Sequence, residues 1–210
     1  MINTEAKIAK ILLETSAIKL SPEKPFKWSS GWNSPIYCDN RTVLSYSHHR
    51  KAIKEMLSAK IAAEFEGVDT IIGVATAGIA MGALVADELS LSYAYCRPEP
   101  KSHGLKRQLE GKVDKDAKIV VLEDLISTGG SSLKVVEYLR AEGYNVMGMA
   151  AIFTYGFRIA DDNFNHADCK YITLGNYASM IDEAVTSGYV QESDLASLAQ
   201  WRENPAEWGV

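Results

Sequence analysis

Residues 119–133 read IVVLEDLISTGGSSL, and this stretch decides the fold. Four apolar residues, Ile119 to Leu122, lead into two acids, Glu123 and Asp124. A short turn follows, then Ser127, Thr128, Gly129, Gly130, Ser131 and Ser132, and then helical sequence. An unbroken apolar run of this length suits a strand of a parallel sheet, buried on both faces. Such a strand ends at the sheet's carboxyl edge, where ligands of open α/β sheets bind. Glycines let backbone amides close around an anion, hydroxyls add donors, and a helix starting near Gly130 aims its positive end at the same point. The pattern is a cradle for one phosphate. Neither GxxxxGK[ST] nor GxGxxG occurs in the chain, which argues against nucleoside triphosphate hydrolysis. Adjacent carboxylates accept vicinal hydroxyls well, so the motif as a whole reads a ribose that carries a 5-phosphate.

The pattern around this stretch alternates. Residues 70–75 (TIIGVA), 92–96 (SYAYC), 117–123, 145–153 and 170–174 read as strands. Helices are predicted over about 78–89, 130–142, 156–165, 176–186 and 191–203. Strands alternating with helices predict a parallel central sheet flanked by helices on both faces. Upstream, residues 3–15 carry Ile8, Ile11 and Leu12 at helical spacing, and a helix capped by Ser45 or Ser47 is expected to run to about Phe65. Residues 21–41, rich in proline, glycine and aromatics, exclude a long helix. We divide the chain into a small N-terminal lobe over 1–45 and a core over 46–210.

Composition narrows the partners. The 210 residues are 47% apolar and 23% charged, with a net charge of -5, an ordinary globular balance that argues against a nucleic-acid-binding face. Cys38, Cys96 and Cys169 are odd in number and lack metal-ligand spacing, so they read as reduced thiols. No apolar run approaches the ~18 residues of a membrane span, and MINTEAKIAK is not signal-like. A cytoplasmic location is expected, with no nucleic-acid or membrane partner.

The string at 119–133 resembles the phosphoribosyl pyrophosphate (PRPP) signature of the type I phosphoribosyltransferases. The resemblance implies that fold, with a hood lobe over the sheet. It also implies that Glu123 and Asp124 hold the ribose hydroxyls while Ser127 to Ser132 hold the 5-phosphate. Three further segments are similar to the orotate phosphoribosyltransferase branch. FKWSSGWNSPIYCDNR (26–41) implies that Ser30, Gly31, Ser34, Ile36 and Tyr37 help form a hood over orotate, with Thr128 also in reach. GVATAGIAMG (73–82) resembles the pyrophosphate loop, implying Thr76, Ala77 and Gly78. YCRPEPKSHGLKRQLEG (95–111) resembles the catalytic loop, implying Arg97, Lys101, His103 and Gly104. Cations there would neutralise the departing pyrophosphate. In the family this loop reaches the neighbouring subunit's site, which implies a homodimer with shared active sites.

The chain differs from parts of the family at four places. Pro98 follows the loop arginine, Ala77 and Ser29 stand where some members carry lysine, and Tyr155 or a neighbour stands where some carry arginine. Lys27, Arg41 or backbone donors are the remaining candidates for the orotate carboxylate. The implied reaction joins ribose 5-phosphate to N1 of orotate and releases pyrophosphate. Mg²⁺ is the implied cofactor, held by PRPP and water rather than by protein ligands. Asp124 would also steady the cationic ribose. Transfer to a purine or uracil, and a non-catalytic PRPP sensor, are the alternatives.

Overall fold

A computed structural model describes residues 4–28, 31–100 and 107–209. The chain opens with α1 (Thr4–Glu14), whose Ile8, Ile11 and Leu12 lie buried on one face. Four short strands follow: β1 (Ile18–Leu20), β2 (Phe26–Lys27), β3 (Asn33–Ser34) and β4 (Ile36–Cys38). They pair antiparallel, β1 with β4 and β2 with β3, in two small ladders. A 3-10 turn over Asn40–Ser45 leads to α2 (Ser47–Glu64).

The expected serine cap of α2 is corrected here. Tyr46 is the N-cap and makes no side-chain capping bond. The 3-10 turn, capped by the Asp39 side chain at Arg41 N, occupies the residues before it and delivers the chain to the helix already wound. Then come β5 (Thr70–Val74), α3 (Gly78–Leu89), β6 (Ser92–Cys96) and β7 (Leu109–Glu110). They are followed by β8 (Lys118–Ile126), α4 (Gly130–Ala141), β9 (Asn145–Thr154), α5 (Arg158–His166) and β10 (Tyr171–Asn176). The chain ends with α6 (Tyr177–Thr186) and α7 (Leu195–Glu203).

The six-stranded sheet has the order β10-β9-β8-β5-β6-β7. The pairs from β10 to β6 are parallel, and β7 runs antiparallel to β6 at the edge. That edge strand lies inside a segment whose polar sequence reads as loop. Only two residues pair, Tyr95 with Glu110 and Cys96 with Leu109, too few to set up a period. β8 also runs three residues past its expected end at Glu123, because β9 pairs with it out to Ile126 and Thr154.

Side chains of a strand alternate between faces. Ile119 and Val121 of β8 join the cluster that holds Leu133, Val136, Ala160 and Phe164 of α4 and α5. Val120 and Leu122 join the cluster with Ile8, Ile53, Val85 and Met180 of α1, α2, α3 and α6. Ile18 and Ile36 from the N-terminal strands belong to this second cluster, so these strands share one core with the sheet.

The order fixes where a ligand can sit. From β5 the chain steps to β6 on one side, then crosses back to β8 on the other. The strand order therefore reverses between β5 and β8, and a crevice opens at their carboxyl ends.

Candidate functional site

The acid pair stands at that crevice. Continued past Leu122, the alternation of β8 turns Glu123 toward α4 and Asp124 toward the N-terminal segment. Glu123, 7% exposed, accepts from the Ser132 hydroxyl at 3.1 Å and from the Asp124 amide at 3.0 Å. β5 stops pairing with β8 at Gly73 and Leu122, two residues short of Asp124. The buried Asn40 side chain then supplies the missing donor, with its Nδ2 2.8 Å from the Asp124 carbonyl oxygen. Burial pushes the Glu123 carboxyl well above the usual carboxylate range, and the neighbouring Asp124 charge adds to the effect. Burial also raises Asp124, opposed by a hydrogen bond from Glu123 and by the Arg41 guanidinium. Carboxyls desolvated in this way are suited to accept from two hydroxyl donors.

The cradle follows. Gly129 is the N-cap of α4 at φ +81°, and no side chain caps the helix. Its first amides have no intrahelical acceptor and are open to an anion. A Cβ at Gly129 would lie 2.7 Å from the Phe164 ring, so glycine is required by space as well as by φ. Asn163 of α5 donates from Nδ2 to the Thr128 carbonyl at 2.9 Å. In a trans peptide the N–H points opposite to the C=O, so this bond turns the Gly129 amide away from α5. Ser127, Thr128, Gly130 and Ser131 keep access to solvent, whereas Ser132 is buried with its hydroxyl on Glu123.

Thr76, Ala77 and Gly78 form the turn from β5 into α3, and the Ala75–Thr76 peptide is cis. A Cβ at Gly78 would meet the Leu122 carbonyl oxygen at 2.4 Å, so this turn lies directly against β8 one residue before Glu123. A cavity of about 510 Å³ opens between Thr76, Ser131 and the stem of the following loop, where Arg97 lines it. The Arg97 amide donates to the Gln108 carbonyl at 3.0 Å, and its guanidinium lies 5.8 Å from the Tyr95 ring centroid. Lys101, His103 and Gly104 lie outside the described residues.

Of the hood residues, Ser30 is likewise outside the described set, and Gly31 sits in the β2–β3 turn at φ +89°. Strand alternation in β4 sends Ile36 into the core, fully buried, and leaves Tyr37 42% exposed. Ile36 therefore presents no side chain to an open surface. Its carbonyl accepts from Trp28 Nε1 at 3.1 Å. Arg41 is held by Asp39 through two hydrogen bonds of 2.7 and 2.9 Å. Behind the hood, Trp28 stacks on Tyr155 with centroids 5.2 Å apart, and Trp201 of α7 packs edge-on against both. Asn33 of the hood donates to the Gly209 carbonyl at 2.8 Å.

A family model described as the phosphoribosyl transferase domain matches residues 43–187. An orotate phosphoribosyltransferase of Cytophaga hutchinsonii is 51% identical over 207 residues, covering 99% of either chain. Another, of Enterococcus faecalis, is 46% identical over 209 residues and covers both chains fully. The chain belongs to the orotate phosphoribosyltransferase family. Among solved structures, the orotate phosphoribosyltransferase of Aeropyrum pernix matches with a TM-score of 0.74 at 28% identity, over 88% of this chain and 99% of that one.

For this orotate phosphoribosyltransferase chain, three structural supports escaped the sequence reading. Asn40 lies within the quoted CDNR, but nothing local marks it as a partner of a residue 84 positions away. Asn163 sits in DDNFNH on an exposed-looking helix with no signal of its own. Trp201, in α7, has no local signal that pairs it with the hood's Trp28 and with Tyr155, against which it packs. Tyr155, at the place where some family members carry arginine, is buried, and burial raises its hydroxyl further beside Cys38 and Asp124.

Proposed function

We propose that this chain transfers ribose 5-phosphate from PRPP to N1 of orotate, giving orotidine 5′-monophosphate and pyrophosphate. The observation that carries the reading is the acid pair near the end of β8, a buried Glu123 and a half-buried Asp124, tied through Ser132 to the uncapped start of α4. In this reading the Glu123 and Asp124 carboxylates accept the ribose hydroxyls. The amides of 128–131 and the hydroxyls of Ser127, Thr128 and Ser131 hold the 5-phosphate. Thr76, Ala77 and Gly78 offer backbone donors to the diphosphate across the cavity.

The bond from ribose C1 to the diphosphate oxygen stretches, and positive charge grows on the ring. Asp124 stabilises that charge across the ring. Arg97, with Lys101 and His103 of the adjoining loop, stabilises the negative charge on the leaving oxygen. The C1–O bond breaks, N1 of orotate bonds to C1 from the opposite face, and the N1 proton passes to the departing diphosphate. The hood residues Gly31 and Tyr37, with Ser30, cover the base and exclude water. Arg41, preset by Asp39, is a guanidinium whose charge is felt at Tyr37 and Asp124.

The described residues hold no group of three or more metal-ligating side chains. A Mg²⁺ that arrives on the diphosphate and keeps water ligands would supply charge neutralisation of the leaving group. Three unpaired cysteines fit a reducing, cytoplasmic setting. No helix among the described residues is long and apolar enough to cross a membrane. A homodimer that shares its active sites completes the reading, and light scattering in solution tests it.

The reaction is tested with purified protein, PRPP and Mg²⁺ against orotate, uracil, adenine and hypoxanthine in parallel. Loss of orotate absorbance that needs both PRPP and Mg²⁺ supports the reading. Consumption of PRPP with another base, and none with orotate, discards the hood's assignment.

A further inference from the structure

Among its described residues, the same cavity carries a charged pair that the proposed reaction leaves unused. Lys134 and Glu99 both line it, beside Thr76, Arg97 and Ser131. Lys134 Nζ lies 3.0 Å from Glu99 Oε1, and the two side chains are 54% and 76% exposed. An ion pair this open to water contributes little to stability. Its position is more informative. Lys134 stands three residues after Ser131 and four after Gly130 on α4, so it shares their helix face. Its neighbours Leu133, Val135 and Val136 are buried, which leaves Lys134 pointing to the open side. Arg97, the other cation among the cavity's described residues, is already placed over Tyr95 and 3.9 Å from Glu110. A carboxylate on the wall of a polyanion site is unfavourable unless its cation is to be shared or handed over.

We propose that Lys134 is a phosphate-binding cation of the PRPP site and that Glu99 is its internal competitor, displaced when phosphate enters. The proposal rests on the reading of this cavity as a phosphoribosyl site. The ligand chemistry is a phosphate oxyanion, which either the 5-phosphate or the diphosphate could present. The two partners then have opposite effects on substrate affinity, which a structural ion pair would not produce.

The test compares wild type, Lys134→Gln, Lys134→Arg and Glu99→Gln. With PRPP varied at saturating orotate, KM for PRPP rises about five-fold in Lys134→Gln and falls about two-fold in Glu99→Gln. Lys134→Arg stays near wild type, and KM for orotate is unchanged in all four. Added salt narrows the differences. Binding of ribose 5-phosphate and of inorganic pyrophosphate, measured separately by calorimetry, shows which phosphate Lys134 serves. Weakening of neither ligand in Lys134→Gln overturns the proposal, as does a shift of KM in the same direction for Lys134→Gln and Glu99→Gln. If wild type turned over no orotate, the functional reading would fall, and the two binding titrations would still decide the role of Lys134.

Discussion

The Ser132 hydroxyl donates to Glu123 Oε2 at 3.1 Å, which joins the first turn of α4 to the acid pair at the end of β8. The start of α4 and the acid pair, proposed above to hold the phosphate and the ribose, are thus one unit. Burial raises the Glu123 carboxyl above the ordinary range near pH 4.3. A folded-state pKa above the unfolded value means that the neutral form favours folding. That contribution is full below the unfolded pKa and is lost as pH rises through the folded one. Glu123→Gln removes the loss and can keep both hydrogen bonds, since the amide oxygen accepts from the Asp124 N–H while its NH₂ donates to Ser132. Tm at pH 7 therefore rises in Glu123→Gln, at ~2–4 °C per kcal/mol for a chain of this size, and the gain fades toward pH 4. Scanning fluorimetry between pH 4 and 7.5 checks it. A gain independent of pH would contradict the assignment.

The same carboxyls must be ionised to accept ribose hydroxyls. The kcat/KM for PRPP is therefore expected to fall on the acid side, with an apparent pKa above the ordinary carboxylate value. The profile for Asp124→Asn, measured at the same ionic strength, should lose part of that limb.

Asn40 gives the Asp124 carbonyl its donor where β5 no longer reaches. Asn40→Ala strands a buried acceptor at a cost of about 1–3 kcal/mol. Both KM values should rise, because Asn40 ties the N-terminal segment to the acid. Urea unfolding and steady-state kinetics on one preparation separate the two effects.

Asn163 should act on one substrate. Its bond to the Thr128 carbonyl aims the Gly129 amide, so Asn163→Asp, of equal size but without the donor, weakens PRPP by about ten-fold and spares orotate. Equal changes in both KM values would reduce Asn163 to a general support.

Trp201 is fully buried and packs against Trp28, Tyr155, Phe157 and Tyr177. Trp201→Ala is expected to cost about 3–5 kcal/mol, and Trp201→Phe much less. In the phenylalanine variant the looser footing of Trp28 appears as a raised KM for orotate.

The sequence reading succeeded where chemistry and chain direction coincide. In IVVLEDLISTGGSSL the strand, acids, glycines and helix start follow one another, and each constrains a local conformation. The alternation from residue 70 onward likewise named every parallel strand of the sheet. What stayed hidden depends on distant pairs. β7 exists only because two residues meet β6, and the N-cap at Tyr46 depends on the 3-10 turn before it. Asn40, Asn163 and Trp201 act on residues 84, 35 and 24 or more positions away, and no local period announces such partners.

The most direct test of the central claim is orotate turnover, with PRPP and Mg²⁺ saturating for wild type, in the Glu123→Gln/Asp124→Asn double variant beside wild type, with circular dichroism to verify folding. We expect wild type to form orotidine 5′-monophosphate and pyrophosphate in equal amounts, and the folded double variant to lose kcat/KM for PRPP by about 100-fold or more. A folded double variant as active as wild type would contradict the placement of the ribose at the end of β8.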